Sequence, residues 1–433
     1  MAREMKDSGI EWIGEIPREW EIARLKTLFS FGKGLPITKE NLCEYGVPVI
    51  SYGQIHSKTN TGVKIQNDLI RYVSESYLET NKQSLVDESD FIFADTSEDI
   101  DGCGNCVYVD SQSVLFAGYH TIILHSRSNG NNRFLAYLFK TDNWRSQIRG
   151  RVSGVKVFSI SRRILSDAAV LLPPVSEQQS IADFLDTQCA HIDFVIEKTH
   201  AAIEEYKKLK QAVITQAVTK GIRPNREMKD SGIEWIGEIP KEWSLIRIKR
   251  LLNERNERSV SGNEEPLSMS QKYGLIPTSQ MDMIPNIASS FVGAKLCYKN
   301  DLVFNKLKAH LGVFAVSNFD GLVSPDYAVY YSTNIASLKY LEFLFKTPQY
   351  IGEFRKKSTG VGAGLTRLYT SGLYSIYCAL PDYLEQSEIV AYLDEKNDAI
   401  DSLIQKKEQL IAELEAYKKS LIYEYVTGKK EVV

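Results

Sequence analysis

What the chain lacks narrows it first. Of 433 residues only 6 are cysteine, and only Cys103 and Cys106 lie close together, so a disulfide framework is excluded and a reducing cytoplasm is expected. No run of about 18 uncharged apolar residues occurs, and the opening MAREMKDSGIEW has no apolar leader core, so neither a membrane span nor secretion is expected. Neither sign of charge dominates: 52 Lys and Arg face 55 Asp and Glu, a net charge of −3, so bulk charge cannot hold the chain to a polyanion. A Walker A loop and a nucleophile elbow are both missing, which leaves His120 and His125, flanking one β-rich run, without a hydrolytic triad to join. Cys103-Gly-Asn-Cys106 is a single knuckle with no second pair and no His at zinc spacing, and reads as a turn.

What is present suits folding. Hydrophobic residues are 43% and aromatics 10% of the chain, which rules out disorder, and the length exceeds what one core supports.

The chain is also duplicated. MKDSGIEWIGEIPREW at residues 5–20 returns as MKDSGIEWIGEIPKEW at residues 228–243, differing only at Arg18 and Lys241. LPPVSEQQSIADFLD from Leu172 matches LPDYLEQSEIVAYLD from Leu380 at an offset of 208, and the match runs on to Val218-Thr219 and Val426-Thr427. A looser pair, FLAYLFKT from Phe134 and YLEFLFKT from Tyr340, lies inside the diverged stretches. Two variable modules therefore sit between repeated frames. Trp12 and Trp235, one in each frame, are expected to pack against a module base or the opposite helix.

From Ile181 the apolar positions step by four and three through Leu185, Gln188, Ile192, Val195, Thr199, Ala202, Tyr206 and Leu209 to Val213, a heptad seam. The copy runs Ile389, Leu393, Lys396, Ile400, Leu403, Lys407, Leu410, Leu414, Tyr417, Leu421 in the same register. Ser176 with Gln179, and Asp382 with Glu385, are candidate capping boxes, while Lys220-Gly221 and Gly428 mark the ends. About 37 residues at a 1.5 Å rise make a rod of roughly 55 Å whose narrow stripe needs a partner. The favoured partner is the chain's own second copy; the alternative is the same helix of another chain.

The modules alternate β-rich runs with turns: VPVISYG from Val47, FIFADT from Phe91, CVYVD from Cys106, SVLFAG from Ser113 and HTIILHS from His120, then a helix from about Arg133 to Ile148. The second copy offers runs from Lys295, Gly312 and Tyr327, then a helix from about Ile335 to Phe354. The strands are not interleaved with helices, so mixed-sheet α/β or α+β modules are expected. Charge is segregated within them. Residues 87–110 hold eight acidic side chains and no basic one, whereas residues 133–163 hold eight basic ones against Asp142 alone. Arg149, Arg151, Lys156, Arg162 and Arg163 form the candidate polyanion-contacting set of the first module. Lys306, Lys308, Arg355, Lys356, Lys357 and Arg367 form that of the second. Arginine among Gly, Ser and aromatics suits phosphate contact and guanine-edge recognition, although a run of this kind also serves as a plain solvated face.

These residues together carry a resemblance. The frame KDSGIEWIGEIPxEW, the Leu172–Gln178 and Leu380–Gln386 junctions, the helices ending VTKG and VTGK, and the variable modules resemble the specificity (S) subunit of type I restriction-modification systems over essentially the whole chain. GKGLPITKENL, FIFADTSED and FAGYHTIIL resemble one class of target recognition domain; NKLKAHLGVF with DGLVSPDYAVY resembles another. The resemblance implies an α/β (α+β) chain: two globular target recognition domains, each followed by a long helix, the helices packed as an antiparallel coiled coil with internal pseudo-two-fold symmetry. Its segments would be 1–20, the first frame; 21–172, recognition domain 1; 173–221, the central spacer helix; 222–243, the second frame; 244–380, recognition domain 2; and 381–433, the C-terminal spacer helix.

It further implies a non-catalytic subunit that reads a bipartite, asymmetric site in double-stranded DNA, with two methylation (M) subunits and a restriction (R) subunit as partners. S-adenosylmethionine, ATP and Mg are then expected on those partners and no cofactor on this chain. In keeping with this, Leu172-Pro173-Pro174-Val175 lacks the leading Asp or Asn of an adenine methyltransferase tetrapeptide, and GVGAG from Gly360 follows no strand of a βαβ unit and reads as a loop. Since FADTSED fits a recognition-domain pattern, Asp95, Glu98, Asp99 and Asp101 read as structural or base-reading residues rather than a metal site; a carboxylate can accept from cytosine N4. A coiled-coil scaffold whose modules bind protein is the rival reading.

Overall fold

The computed structural model describes residues 3–111, 113–127, 132–270, 273–281, 291–360 and 366–432. The chain folds as two compact units, the first discontinuous in sequence, Met1–Thr199 with Gln409–Val433, and the second the continuous stretch His200–Glu408. The discontinuity comes from two long helices, Val175–Lys220 and Tyr383–Val426, each of which gives one half to each unit.

Both units are built to one plan from the repeated frame. Met5–Asp7 pairs antiparallel with Glu15–Pro17, and Met228–Asp230 with Glu238–Pro240, in identical register. The strand entering each module then pairs with the strand leaving it: Glu21–Arg24 with Ala169–Leu172, and Ser244–Arg247 with Tyr377–Leu380. Each module is thereby closed at its base, and the departing strand delivers the chain into a long helix.

A buried clasp fixes that junction. Trp20 and Trp243 are fully buried. Trp20 Nε1 donates to Glu177 Oε2 at 2.9 Å and Trp243 Nε1 to Glu385 Oε2 at 3.2 Å, each Glu lying in the first turn of a long helix. Arg3 and Arg226 complete the clasps, each binding its Glu with two nitrogens. They extend the repeat two residues upstream of Met5 and Met228, as Arg3-Glu4 and Arg226-Glu227. The end of the other long helix meets the same tryptophan. Gly428 and Gly221 turn there with left-handed φ of +71° and +78°, and a Cβ on Gly428 would lie 2.4 Å from Pro17 Cδ.

In each unit the helix halves pack antiparallel. In the first, Ile181, Leu185, Cys189 and Ile192 share a core with Leu421, Ile422 and Val426, Phe184 stacks on Tyr425, and Lys418 Nζ bridges both Asp193 oxygens at 2.6 Å. In the second, Ile214, Ala217 and Val218 meet Ile389 and Leu393, and Lys210 bridges Asp401 at 2.7 Å. The seam departs from the expected heptad. A stripe of buried and half-buried positions runs through Ile181, Leu185, Cys189, Ile192, Ile196, Thr199, Ile203, Tyr206, Lys210 and Ile214, matched position for position from Ile389 to Ile422, while the expected Gln188, Val195, Ala202 and Val213 are half-buried beside it. Nine steps over 33 residues give about 3.7 residues per step, near the helix's own period, whereas a strict 3.5 repeat drifts off the face. Leu209, Leu403, Leu410 and Tyr417, expected inside, are 49%, 42%, 40% and 55% exposed.

Further expectations are corrected. Ser176 lies inside its helix, which starts at Val175 behind two prolines. Asp382 Oδ1 does cap Glu385 N at 2.8 Å, but the Glu385 side chain turns to the clasp instead of closing a capping box. The single helix expected over Arg133 to Ile148 is two, Arg133–Lys140 and Asp142–Arg149, broken at an extended Thr141 whose hydroxyl caps Trp144 N. Its copy is likewise split into Leu338–Phe345 and Pro348–Lys357. Trp235 packs edge-on against Tyr350 of that last helix.

Each module is centred on an antiparallel four-stranded sheet. Its order is Cys106–Tyr108, Phe91–Ala94, Thr121–Ser126, Phe29–Lys33 in the first and Phe314–Val316, Leu302–Asn305, Tyr327–Ser332, Leu252–Arg255 in the second. The first module adds a second sheet in which Leu115–Ala117 runs parallel to Val47–Ile50. The named strand pairs of the second module are antiparallel, and a parallel bridge between Pro266 and Leu322 joins two of them.

The clasp makes a stability prediction. Glu385 and Arg226 are 3% and 8% exposed, so Glu385→Ala leaves a buried guanidinium only the exposed Glu242 at 3.1 Å and should cost about 3 kcal/mol in denaturant unfolding. Glu177→Ala should cost clearly less, because its carboxylate is 21% and Arg3 17% exposed, while Arg3 keeps Glu19 as Arg226 keeps Glu242. Equal small losses would show that the clasp does not hold the junction.

Candidate nucleic-acid interface

One edge of each central sheet carries the same backbone frame and different chemistry. In the first module Asp95 follows the strand Phe91–Ala94; its N–H donates to His120 O at 3.1 Å, and its carbonyl accepts from Ile160 N at 2.7 Å. In the second, Lys306 N donates to Asp326 O at 3.1 Å and Lys306 O accepts from Leu368 N at 3.0 Å. Asp95 therefore corresponds to Lys306 and His120 to Asp326, so the same ladder presents an acid and an imidazole in one unit and a cation and an acid in the other.

The side chains differ accordingly. His120 Nδ1 lies 3.3 Å from Asp95 Oδ1. His120 is held at φ +54°, a left-handed conformation uncommon outside glycine, and its side chain is 57% exposed. Arg162, exposed at the start of the short helix Arg162–Ser166, lies over the Phe31 ring at 5.4 Å. These groups and Lys33 line an open cleft of about 540 Å³. In the second module Lys306 Nζ donates to Pro325 O at 3.0 Å, and Arg367 Nη2 donates to Asp326 Oδ1 at 2.6 Å. Burial first, then the nearby charges of Lys295 and Arg367, lowers the pKa of the Lys306 ammonium.

The candidate basic residues divide between this edge and elsewhere. Arg151 and Lys156 are exposed on the loop leading to Phe158–Ser159, a strand paired with Thr96–Ser97 beside the cleft, and Val155 at the loop tip is 96% exposed. Arg163 is exposed next to Arg162. Arg149 is not part of this edge: it donates to Asp101 O at 2.8 Å and Asp142 Oδ1 at 3.1 Å, which ties its helix to the acidic loop. In the second module Lys306 and Arg367 belong to the edge, Lys308 is exposed just beyond it, and Arg355, Lys356 and Lys357 project from the end of Pro348–Lys357, the two lysines 3.6 and 3.9 Å from Glu353. The corresponding GVGAG run lies, after Gly360, outside the described residues.

Asp99 and the cysteines serve the local turn. Asp99 Oδ1 accepts from Gly102 N at 2.6 Å, and Cys103 and Cys106 are buried free thiols, that of Cys106 pushed up to about 12 by burial. His125 pairs with Asp90 at 2.7 Å, and that bond raises its imidazole pKa. Sequence reasoning missed Phe31, Lys33 and Asp326 as site residues and gave His120 no role there. Aligning FADTSED with FNKLKAH and GYHTIIL with SPDYAVY would have paired Asp95 with Lys306 and His120 with Asp326.

Arg149→Ala should lower stability by about 1–2 kcal/mol through the lost anchoring bonds, while the exposed Arg163→Ala should stay within roughly 0.5 kcal/mol of wild type. Urea unfolding of both variants checks this, and equal effects would contradict the division drawn here.

With this geometry in view, comparison with known proteins is direct. A family profile described as the type I restriction modification DNA specificity domain matches residues 17–205. A Methanocaldococcus jannaschii protein assigned as the type I restriction enzyme MjaX specificity subunit is 25% identical over 97% of this chain and 96% of its own length. The EcoKI specificity subunit of Escherichia coli K12 is 20% identical over 96% of this chain and 90% of its own. A chain from a structure addressing complex assembly and conformational transition of the type I R-M system superposes with a TM-score of 0.69 at 15% identity, covering 96% of this chain and 99% of that one. The HsdS subunit from Thermoanaerobacter tengcongensis gives 0.55 at 16% identity, covering 96% and 98%. The two-unit fold with its long helices is shared with these structures. Residues 17–205 thus match the type I DNA specificity domain, and nearly the whole chain is similar to type I restriction-modification specificity subunits.

Proposed function

We propose that this chain is the DNA-reading, non-catalytic subunit of a cytoplasmic type I restriction-modification complex. Each module reads one half of a bipartite, asymmetric duplex site, and the edge bearing Asp95, His120 and Arg162, or Lys306, Asp326 and Arg367, faces the bases. The observation that carries this reading is the exchange of side-chain chemistry on an unchanged backbone frame. Two readers of unlike half-sites need different donors and acceptors in one docking geometry, since base edges are told apart by their hydrogen-bonding pattern. Exposed arginine and lysine beside each edge supply phosphate contacts, which position without specifying.

The repeated frame favours two copies of one partner, because like surfaces dock like surfaces. Leu209 and Tyr417, equivalent by the internal repeat, are among the exposed apolar residues on the helices of each unit that are available for such contacts. In this reading two methylation subunits dock there and carry S-adenosylmethionine, and a restriction subunit brings ATP and Mg. The long helices, continuous between the units, set the spacing of the half-sites.

Binding of duplex DNA by the assembled complex should weaken linearly in log–log form with salt, by about 0.9 per phosphate neutralised. The double variant Arg162→Ala, Arg163→Ala should bind about tenfold or more weakly and with a smaller slope. A flat salt response would favour a protein-binding scaffold instead. Inserting eleven residues after Thr199 and after Glu408, one period of the buried stripe, should widen the gap between half-sites by about 16 Å, roughly five base pairs; an unchanged gap would remove the helices as the ruler.

A further inference from the structure

Charges withdrawn from water in folded proteins are paired, and two half-buried ones in the first unit, Lys140 and Arg145, have no acidic partner among the described residues. Lys140 ends the helix Arg133–Lys140, and Arg145 lies in the next helix. Both line a cleft of about 1040 Å³ that also takes in Thr141, Asp142, Asn143 and, from the long helices, Lys418. Lys140 makes no hydrogen bond or ion pair among the described residues. Arg145 spends its Nε on Phe139 O at 2.9 Å and has no carboxylate on its terminal nitrogens. The nearest acids are already engaged: Asp193 by Lys418 through both oxygens at 2.6 Å, and Asp142 by Arg149 at 3.1 Å. Asp101 and Glu415 line the same cleft without bonding to either cation. Burial, reinforced by the charge of Lys418, brings the Lys140 ammonium down to about 8, as expected where no anion sits beside it.

The second unit supplies the control. Aligning Phe134–Thr141 with Tyr340–Thr347 places Lys346 at the position of Lys140, Glu342 at that of Ala136 and Ile351 at that of Arg145. There Lys346 Nζ donates to Glu342 Oε1 at 2.6 Å, and the second cation is absent. The Lys418–Asp193 pair keeps its counterpart in Lys210–Asp401, so the framework is common and the unpaired charge is peculiar to the first unit.

We propose that this cleft binds a phosphate group, held by Lys140 Nζ and the Arg145 guanidinium with the first-turn amides of Asp142 and Asn143. The Thr141 hydroxyl caps Trp144 N and leaves those two amides free, and a helix N-terminus favours an anion. Two cations and several donors from separate directions match a dianion with three acceptor oxygens better than they match a carboxylate. The inference is independent of base reading, since the cleft shares none of the edge residues named above.

The test is titration of the full chain in chloride buffer at constant ionic strength, with inorganic phosphate, ATP, acetate and a short duplex of arbitrary sequence. The NMR resonance of isotopically methylated Lys140 and the thermal midpoint are followed. Phosphate should shift the Lys140 titration upward and raise the midpoint beyond chloride. K140M should weaken phosphate binding about tenfold or more, and K346M should leave it unchanged. Competition by the duplex for the Lys140 response would assign the group to a nucleic-acid backbone; competition by ATP alone would assign it to a small phosphorylated molecule. A phosphate response no larger than that of chloride or acetate, or one intact in K140M, would overturn the proposal. If K140M does not fold, the Lys140 resonance of the wild type still decides.

Discussion

Each unit depends on one junction, where a buried tryptophan binds the first turn of one long helix while the closing glycine of the other turns against it. Trp20 with Glu177, Arg3 and Gly428, and Trp243 with Glu385, Arg226 and Gly221, join the frame, the base of the module and both helices at a single point. An indole N–H and a guanidinium share one carboxylate, so none of the three polar groups is stranded by burial. The first unit, assembled from segments more than 200 residues apart in the chain, needs such a point, because helix propensity alone cannot specify which end meets which.

The junction also separates what is constant from what varies. Below it lie the frame hairpins, the paired entry and exit strands and the seam, equivalent residue by residue in both units. Above it the central sheets keep their strand order, while the parallel strand pair of the first module is reduced in the second to one bridge, Pro266 to Leu322. The division suits a protein whose readers change while its assembly surfaces stay fixed. The opposite side chains at Asp95 and Lys306, and at His120 and Asp326, show how little backbone has to move for that exchange.

Much of this was legible from residues alone. The duplication, the long helices, their pairing within the chain and the strands of the modules follow from self-similarity and periodicity. The full seam register did not follow, because the expected and observed series share Ile181, Leu185, Ile192, Thr199 and Tyr206 and differ by one residue at the positions between them, as at Gln188 and Cys189 or Ala202 and Ile203. The helix break at Thr141 was hidden because apolar positions continue across it and the cap to Trp144 N forms only on folding, whereas Pro348 marks the break at Thr347 in the sequence. The clasp was invisible for another reason: Arg3 and Glu177 are unremarkable charges until folding buries them against one indole. Among the basic residues, composition could not distinguish Arg149, which anchors a loop, from Arg162, which faces an open cleft.

The central claim is that each module reads half of a site independently of the other. It is tested most directly by mapping modified adenines across the genome of a host that carries this chain with its partner subunits, before and after residues 21–172 are exchanged for an unrelated recognition domain. The account predicts that one half of the modified sequence changes while the other half and the spacing between them stay as they were. A change in both halves, or in neither, would contradict it.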